Sequence, residues 1–233
     1  MLLALETSAE CGSLALLEGE ALLGEVLLDE GERHAASLLV CLERLLGARG
    51  LALDAVDRIA LSIGPGSFTG LRIGLATALG LAFGTDRLLV PVPTLAALAT
   101  QGPSVGLIAP LLDARRAEVY AGLYRSDGSA LAADSCGSVG EFLSRLPPDE
   151  PIALLGSGVA PHRAEISARL GPRALFLPPE SGRLRAASVG RLAVRLAAAG
   201  ASVAPELVEL RYLRRAEAET KRLALHPGSE PIP

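Results

Sequence analysis

Short apolar runs broken by polar turns open the chain, and their period switches between that of a strand and that of a helix. Stretches at 2–6, 12–17 and 22–28 predict three strands, the last two joined through Glu18-Gly19-Glu20, a glycine-centred hairpin turn. Leu38, Leu39, Leu42, Leu45 and Leu46 then recur at helical spacing and predict a helix over 35–46. A strand at 58–63, a helix at 70–83, a strand at 88–92 and a short helix at 94–99 complete the order βββαβαβα. The second half repeats it. Strands are predicted at 107–112, 118–125 and 130–134, with Ser126-Asp127-Gly128-Ser129 as the hairpin turn because Asp-Gly tolerates positive φ. Helix 138–146, strand 152–155, helix 161–170, strand 174–177 and helix 186–199 follow. An acid closes the first strand of each half, Glu6 in one and Asp113 in the other.

A βββαβαβα unit written twice is an α/β plan of two tandem ribonuclease-H-like domains. It is the plan of the actin-like ATPase and sugar-kinase superfamily, in which two such domains face each other across a cleft. Gln101-Gly102-Pro103-Ser104 reads as the linker. That divides the chain into an N-terminal domain at 1–101, a C-terminal domain at 102–224 and a tail at 225–233 expected to be flexible. Units of roughly 100 residues are small for independent cores, so the halves should lean on one another or on a partner.

Composition narrows the classes. Of 233 residues half are apolar and 21 % charged, with a net charge of −4, which excludes a disordered chain. The longest apolar run, 73–84, is 12 residues, whereas a membrane-spanning helix needs about 20. The opening residues have no basic flank before Glu6, so no secretory signal is expected. Cys11, Cys41 and Cys136 lack C-x-x-C spacing and read as reduced thiols of a cytoplasmic protein. Aromatics are 3 % with no Trp, and the pI is near 5.5. The chain therefore offers neither a base-stacking platform nor a basic glove for nucleic acid.

The most distinctive segment is Gly64-Pro65-Gly66-Ser67-Phe68-Thr69-Gly70, between an apolar strand and an apolar helix. It has neither the G-K-[ST] ending of a P-loop nor the spacing of a dinucleotide fingerprint or a nucleophile elbow. Ser67 or Thr69 can cap the helix. Arg72 in its first turn opposes the helix dipole, which points to an anion or a carboxylate meeting the loop.

Read as a string, Gly64 to Gly74 (GPGSFTGLRIG) resembles the signature of the bacterial TsaB (YeaZ) family. Leu5-Glu6-Thr7-Ser8, Arg33-His34, the run Asp113-Ala114-Arg115-Arg116-Ala117-Glu118-Val119-Tyr120, the run Ala187-Ser188-Val189-Gly190-Arg191-Leu192-Ala193 and Arg211-Tyr212-Leu213-Arg214 resemble its other motifs in order, with Glu6 where Asp is usual. The resemblance implies a non-catalytic subunit of the complex that makes threonylcarbamoyladenosine at position 37 of tRNAs reading codons that begin with A. It implies pairing through N-terminal helices with the catalytic subunit TsaD or with a second copy, TsaE as a further component, and tRNA met only through the complex.

The residues themselves leave three readings open. His34, His162 and His226 form no His-x-x-x-His pair, so a metallopeptidase-like relative lacks a visible ligand set. An ATP-dependent small-molecule kinase needs glycine-bearing turns after the first strand of each domain. Here those turns centre on Glu6, Thr7 and Ser8 and on Asp113, Arg115 and Arg116, and the second has no glycine, so only weak ATP or ADP binding through these residues is expected. The third reading is a binding protein. Its expected interface comprises His34, Leu38, Cys41, Leu42 and Leu45 around the first helix and Phe68, Leu71, Gly74, Leu75 and Ala78 on the second. Near the C-terminus Arg211, Arg214, Arg215, Lys221 and Arg222 alternate with Glu206, Glu209, Glu217 and Glu219, which reads as a solvated, self-paired helix.

Overall fold

A computed structural model describes residues 1–9, 11–28, 35–104 and 106–214. The first half forms β1 (Leu2–Glu6), β2 (Ser13–Glu18), β3 (Ala21–Leu27), α1 (Ala35–Gly47), β4 (Arg58–Gly64), α2 (Phe68–Ala82), β5 (Leu88–Pro93) and α3 (Thr94–Ala99). The second forms β6 (Leu107–Asp113), β7 (Val119–Ala121), β8 (Ser135–Gly137), α4 (Val139–Leu143), β9 (Ile152–Leu155), α5 (Arg163–Leu170), β10 (Ala174–Phe176) and α6 (Ala186–Ala198). The strands make two five-stranded sheets ordered β3-β2-β1-β4-β5 and β10-β9-β6-β7-β8. Read from the opposite edge, the second order repeats the first. This is the duplicated α/β plan that the hydrophobic pattern predicts.

The two periods of the sequence sort side chains into five layers. On β1, Leu3 and Leu5 join the apolar layer of α1 and α2, while Leu2 and Ala4 face a central layer. On β9, Ile152 and Leu154 join the layer of α4 and α5, while Ala153 and Leu155 face the centre. The central layer holds α3 and α6 between the sheets, and four of its strand positions are alanines: Ala4, Ala15, Ala60 and Ala153. That lets helices approach closely. A Cβ on Gly190 of α6 would overlap Leu17 and lie 3.2 Å from Cβ of Ala4. The two halves therefore share one core. α6, which closes the second half in chain order, packs on β1 and β2 of the first, and α3 packs on β6 of the second.

One hairpin departs from the pattern. The turn at 126–129 forms as expected, with the Arg125 amide donating to the Ser129 carbonyl at 3.0 Å and Gly128 at φ +84°. The strand expected at 130–134 does not form, and β7 pairs with Ser135–Gly137 instead. Gly122 leaves the room for this: the Tyr124 ring and the Asp134 carboxylate occupy the space beside it, each 2.5 Å from where a Cβ would stand. The Tyr124 hydroxyl donates to Asp134 Oδ1, which draws the segment inward. Burial and then the Asp134 charge push the tyrosine hydroxyl up.

The segment after α6 forms no α-helix over its described part; apart from one 3-10 turn at Pro205–Leu207 it runs irregular or extended. Val203 pairs with Leu89, Val208 and Leu210 pack on the first core, and the Arg211 amide donates to the Ile63 carbonyl at 2.7 Å. Arg211 and Arg214 are not self-paired. They reach the second half, at Asp134 (4.0 Å) and at Glu118. His34, Arg215, Glu217, Glu219, Lys221, Arg222, His226 and the tail at 225–233 lie outside the described residues. No helix among the described residues is long and apolar enough to cross a membrane.

Candidate functional site

Glu6 ends β1 with its carboxyl wholly buried. Oε1 accepts from the Ser8 amide and hydroxyl, both at 2.6 Å, and from the Ala9 amide at 3.0 Å, while Oε2 accepts from Ser62 of β4. Burial pushes its pKa up against the pull of those hydrogen bonds. The amides of Ser8 and Ala9, which could have met a phosphate, are thereby spent on Glu6. Ser62 is a partner that no motif in the sequence announces.

The glycine loop seals the same turn from the other side. The Ser67 amide donates to the Ser8 carbonyl at 2.8 Å, and the Thr7 hydroxyl donates to the Gly70 carbonyl at 2.8 Å. A Cβ on Gly66 would lie 2.7 Å from Cβ of Ser8, and one on Gly70 would overlap the Thr7 carbonyl oxygen. The glycines thus serve close backbone approach rather than an open anion cradle. Ser67 is the cap, accepting from the Gly70 amide at 3.2 Å. Arg72 finds its counterpart within the chain: its guanidinium stacks 4.0 Å over the Phe68 ring, and its Nε donates to the Tyr212 hydroxyl at 3.4 Å.

Asp113 sits at the equivalent end of β6, in a different setting. Its Oδ1 accepts from the Arg115 amide at 2.7 Å, and its own amide donates to Ser157 Oγ at 3.1 Å. Arg115, Arg116 and Ala117 all lie in the left-handed region, at φ 63°, 58° and 58°, where each non-glycine residue costs about 1–2 kcal/mol. The Ala114 amide donates to the Glu118 carbonyl at 2.9 Å, and Arg214 donates to the Ala114 carbonyl at 2.6 Å. Gly156-Ser157-Gly158 after β9 is the counterpart of the loop after β4, with Gly156 at φ +109° and Gly64 at +116°. The repeat itself could have found it, since a glycine pair follows the fourth strand of both halves. Among the described residues no three His, Cys, Asp or Glu side chains group as metal ligands.

The expected interface divides. Leu38, Leu42, Leu45, Leu71, Gly74 and Ala78 are buried by their own chain, packed between helix and sheet, so they offer no free surface. Cys41, Phe68 and Leu75 are half-buried. The exposed apolar residues of these helices lie outside the expected interface: Leu39 (48 % exposed), which the helical spacing includes, and Val40 (47 %) on α1, Ala76 and Gly80 on α2, and Phe83 (89 %) at its end. From Ile73 to Thr85 the chain carries no charge.

Two sheets of this order sharing a central helical layer define the actin-like ATPase fold. The ethanolamine utilization protein EutJ from Carboxydothermus hydrogenoformans shares it at a TM-score of 0.51 and 12 % identity, covering 82 % of this chain and 89 % of its own. A family model described as TsaD: tRNA N6-adenosine threonylcarbamoyltransferase matches residues 29–177. The tRNA threonylcarbamoyladenosine biosynthesis protein TsaB of Bacillus subtilis is 30 % identical over 226 residues, 94 % of this chain and 96 % of that protein. The crystal structure of YeaZ from Pseudomonas aeruginosa aligns at a TM-score of 0.74 and 32 % identity, covering 91 % of this chain and 99 % of that one. The chain belongs to the TsaB (YeaZ) family.

Proposed function

We propose that this protein serves tRNA threonylcarbamoyladenosine biosynthesis as a non-catalytic subunit that pairs with TsaD through the outer face of α1 and α2. The observation that carries the reading is the uncharged, partly exposed stretch from Ile73 to Thr85, flanked by Leu39 and Val40 of α1. A helix face left to water carries polar residues. Here Ala76 and Gly80 stand four apart on the exposed side of α2 and admit another helix at close range. Because the TsaD family model matches this chain, the two partners share a fold, and equivalent helices can meet as in a two-fold dimer. A second copy covers the same face when TsaD is absent. TsaE and tRNA meet the pair, not this chain alone.

The strand-end acids support a non-catalytic role. Glu6 is committed to four hydrogen bonds that hold its own turn, and Asp113 to holding the arginine turn. Size-exclusion chromatography with light scattering, with and without TsaD, tests the reading. Wild-type protein should co-elute with TsaD. The Leu39→Glu/Val40→Glu variant should elute alone with its thermal unfolding nearly unchanged, because surface substitutions cost within about 0.5 kcal/mol. A variant that still pairs would overturn the interface. Turnover of substrate by the isolated chain would overturn the non-catalytic role.

A further inference from the structure

The motif around Arg191 plays no part in that pairing, since α6 packs on the opposite side of the first sheet from α1 and α2. Its outer stripe instead walls a cavity of about 330 Å³ between β3, the end of α3 and α6. Arg185, Arg191 and Arg195 line it against a single carboxylate, Glu25. That carboxylate is already used: it is paired with Arg185 and accepts from the Ala187 amide at 2.9 Å. Arg191 makes no ion pair or hydrogen bond among the described residues, and Arg195 has only the field of Asp127 beside it. Gln101 also lines the cavity. Its Nε2 is buried away from solvent and makes no hydrogen bond among the described residues. Buried Ser188, three residues before Arg191 on the same stripe, adds a hydroxyl to the wall.

We propose that this cavity is an anion site that takes a phosphate group. Surplus guanidinium forks and a hydroxyl around one concavity match the several acceptor oxygens of a phosphate. Two sources share that chemistry, a free phosphate compound and a phosphodiester of RNA; the second rests on the function proposed above. Calorimetric titration of the isolated chain with inorganic phosphate at constant ionic strength tests the site itself. Saturable binding is expected in the wild type, weakened at least tenfold in Arg191→Ala/Arg195→Ala, with Arg191→Lys intermediate because it keeps the charge and loses the fork. No saturable binding, or equal binding by wild type and double variant, overturns the site. The source is read from the paired complex with an anticodon hairpin RNA. If RNA fills the site, the salt dependence of binding flattens in the double variant by roughly 0.7–0.9 in log–log slope per lost contact. An unchanged slope alongside lost phosphate binding assigns the site to a small phosphate compound. Since the first titration needs no TsaD, failure of the pairing reading leaves it intact.

Discussion

The first turns of the two lobes occupy the same place in a repeated plan and have diverged in what their acids do. Glu6 is sealed inside the molecule, each oxygen bonded, with the start of α2 pressed against its turn. Asp113, with its side chain 30 % exposed, organises an open loop whose next residues are two arginines in the left-handed region. The difference lies after the fourth strand. In the first lobe a long glycine loop lets a fifteen-residue helix dock on the turn. In the second, the Gly156-Ser157-Gly158 loop also lies close to β6, with the Gly158 amide donating to the Leu111 carbonyl at 3.0 Å, but at Asp113 it meets the amide through Ser157 Oγ and leaves the carboxylate partly exposed. Equal topology thus supports one sealed seam and one partly exposed turn, and a shared fold says little about which lobe acts.

Gly70→Ala should break this contrast hardest. The new methyl would overlap the Thr7 carbonyl, a backbone atom that cannot rotate away. We expect a loss of about 3 kcal/mol, read from urea midpoints at unchanged slope. Gly80→Ala in the same helix meets nothing within 4 Å and should gain about 0.5–1 kcal/mol. Should the two variants unfold alike, the seam is not what the glycines are for.

That seam marks the limit of what the sequence discloses. Period and turn chemistry place nearly every strand and helix, because each depends on neighbours within a few positions. The Gly64–Gly74 string is legible as a motif, yet its partners Thr7 and Ser8 are distant in sequence and only the fold joins them. The α1 stripe fails for the same reason. Leu38, Leu42 and Leu45 are the strongest apolar line, and the strongest line goes to the domain's own core. Of the second line, Leu46 is buried as well, and the surface left over is Leu39 with Val40, a residue outside either line. The strand at 130–134 is lost to a single contact, Tyr124 with Asp134, that no local pattern contains.

Glu6→Gln sharpens the comparison through pH. Burial raises the Glu6 pKa above 4.5 in the folded state, so the folded protein holds that proton more tightly than the unfolded chain does. The stability this contributes is full below about pH 4.5 and is lost as pH rises through the raised value, by at most about 1.4 kcal/mol per pH unit. Gln keeps an acceptor for Ser8 and Ala9 and can donate to Ser62. Relative to Glu6→Gln, the wild type should therefore lose stability between pH 4 and 8 in chemical denaturation. A wild type that gains on the variant over that range would mean the hydrogen bonds outweigh the burial.

The smallest effect belongs to the second lobe. Ala117→Gly removes the methyl that makes φ 58° costly, without touching the Arg115 amide bond to Asp113 or the Arg214 bond to Ala114. The relief should be about 1 kcal/mol, seen as a melting temperature higher by about 2–4 °C in a chain of this size. Glycine also widens the unfolded ensemble, which subtracts from that gain. A rise therefore requires that the left-handed run is a real cost in the native state, held in place by Asp113 and the Arg214 strap. A fall would instead make the turn a relaxed element, and the lobes would then differ in exposure and not in strain.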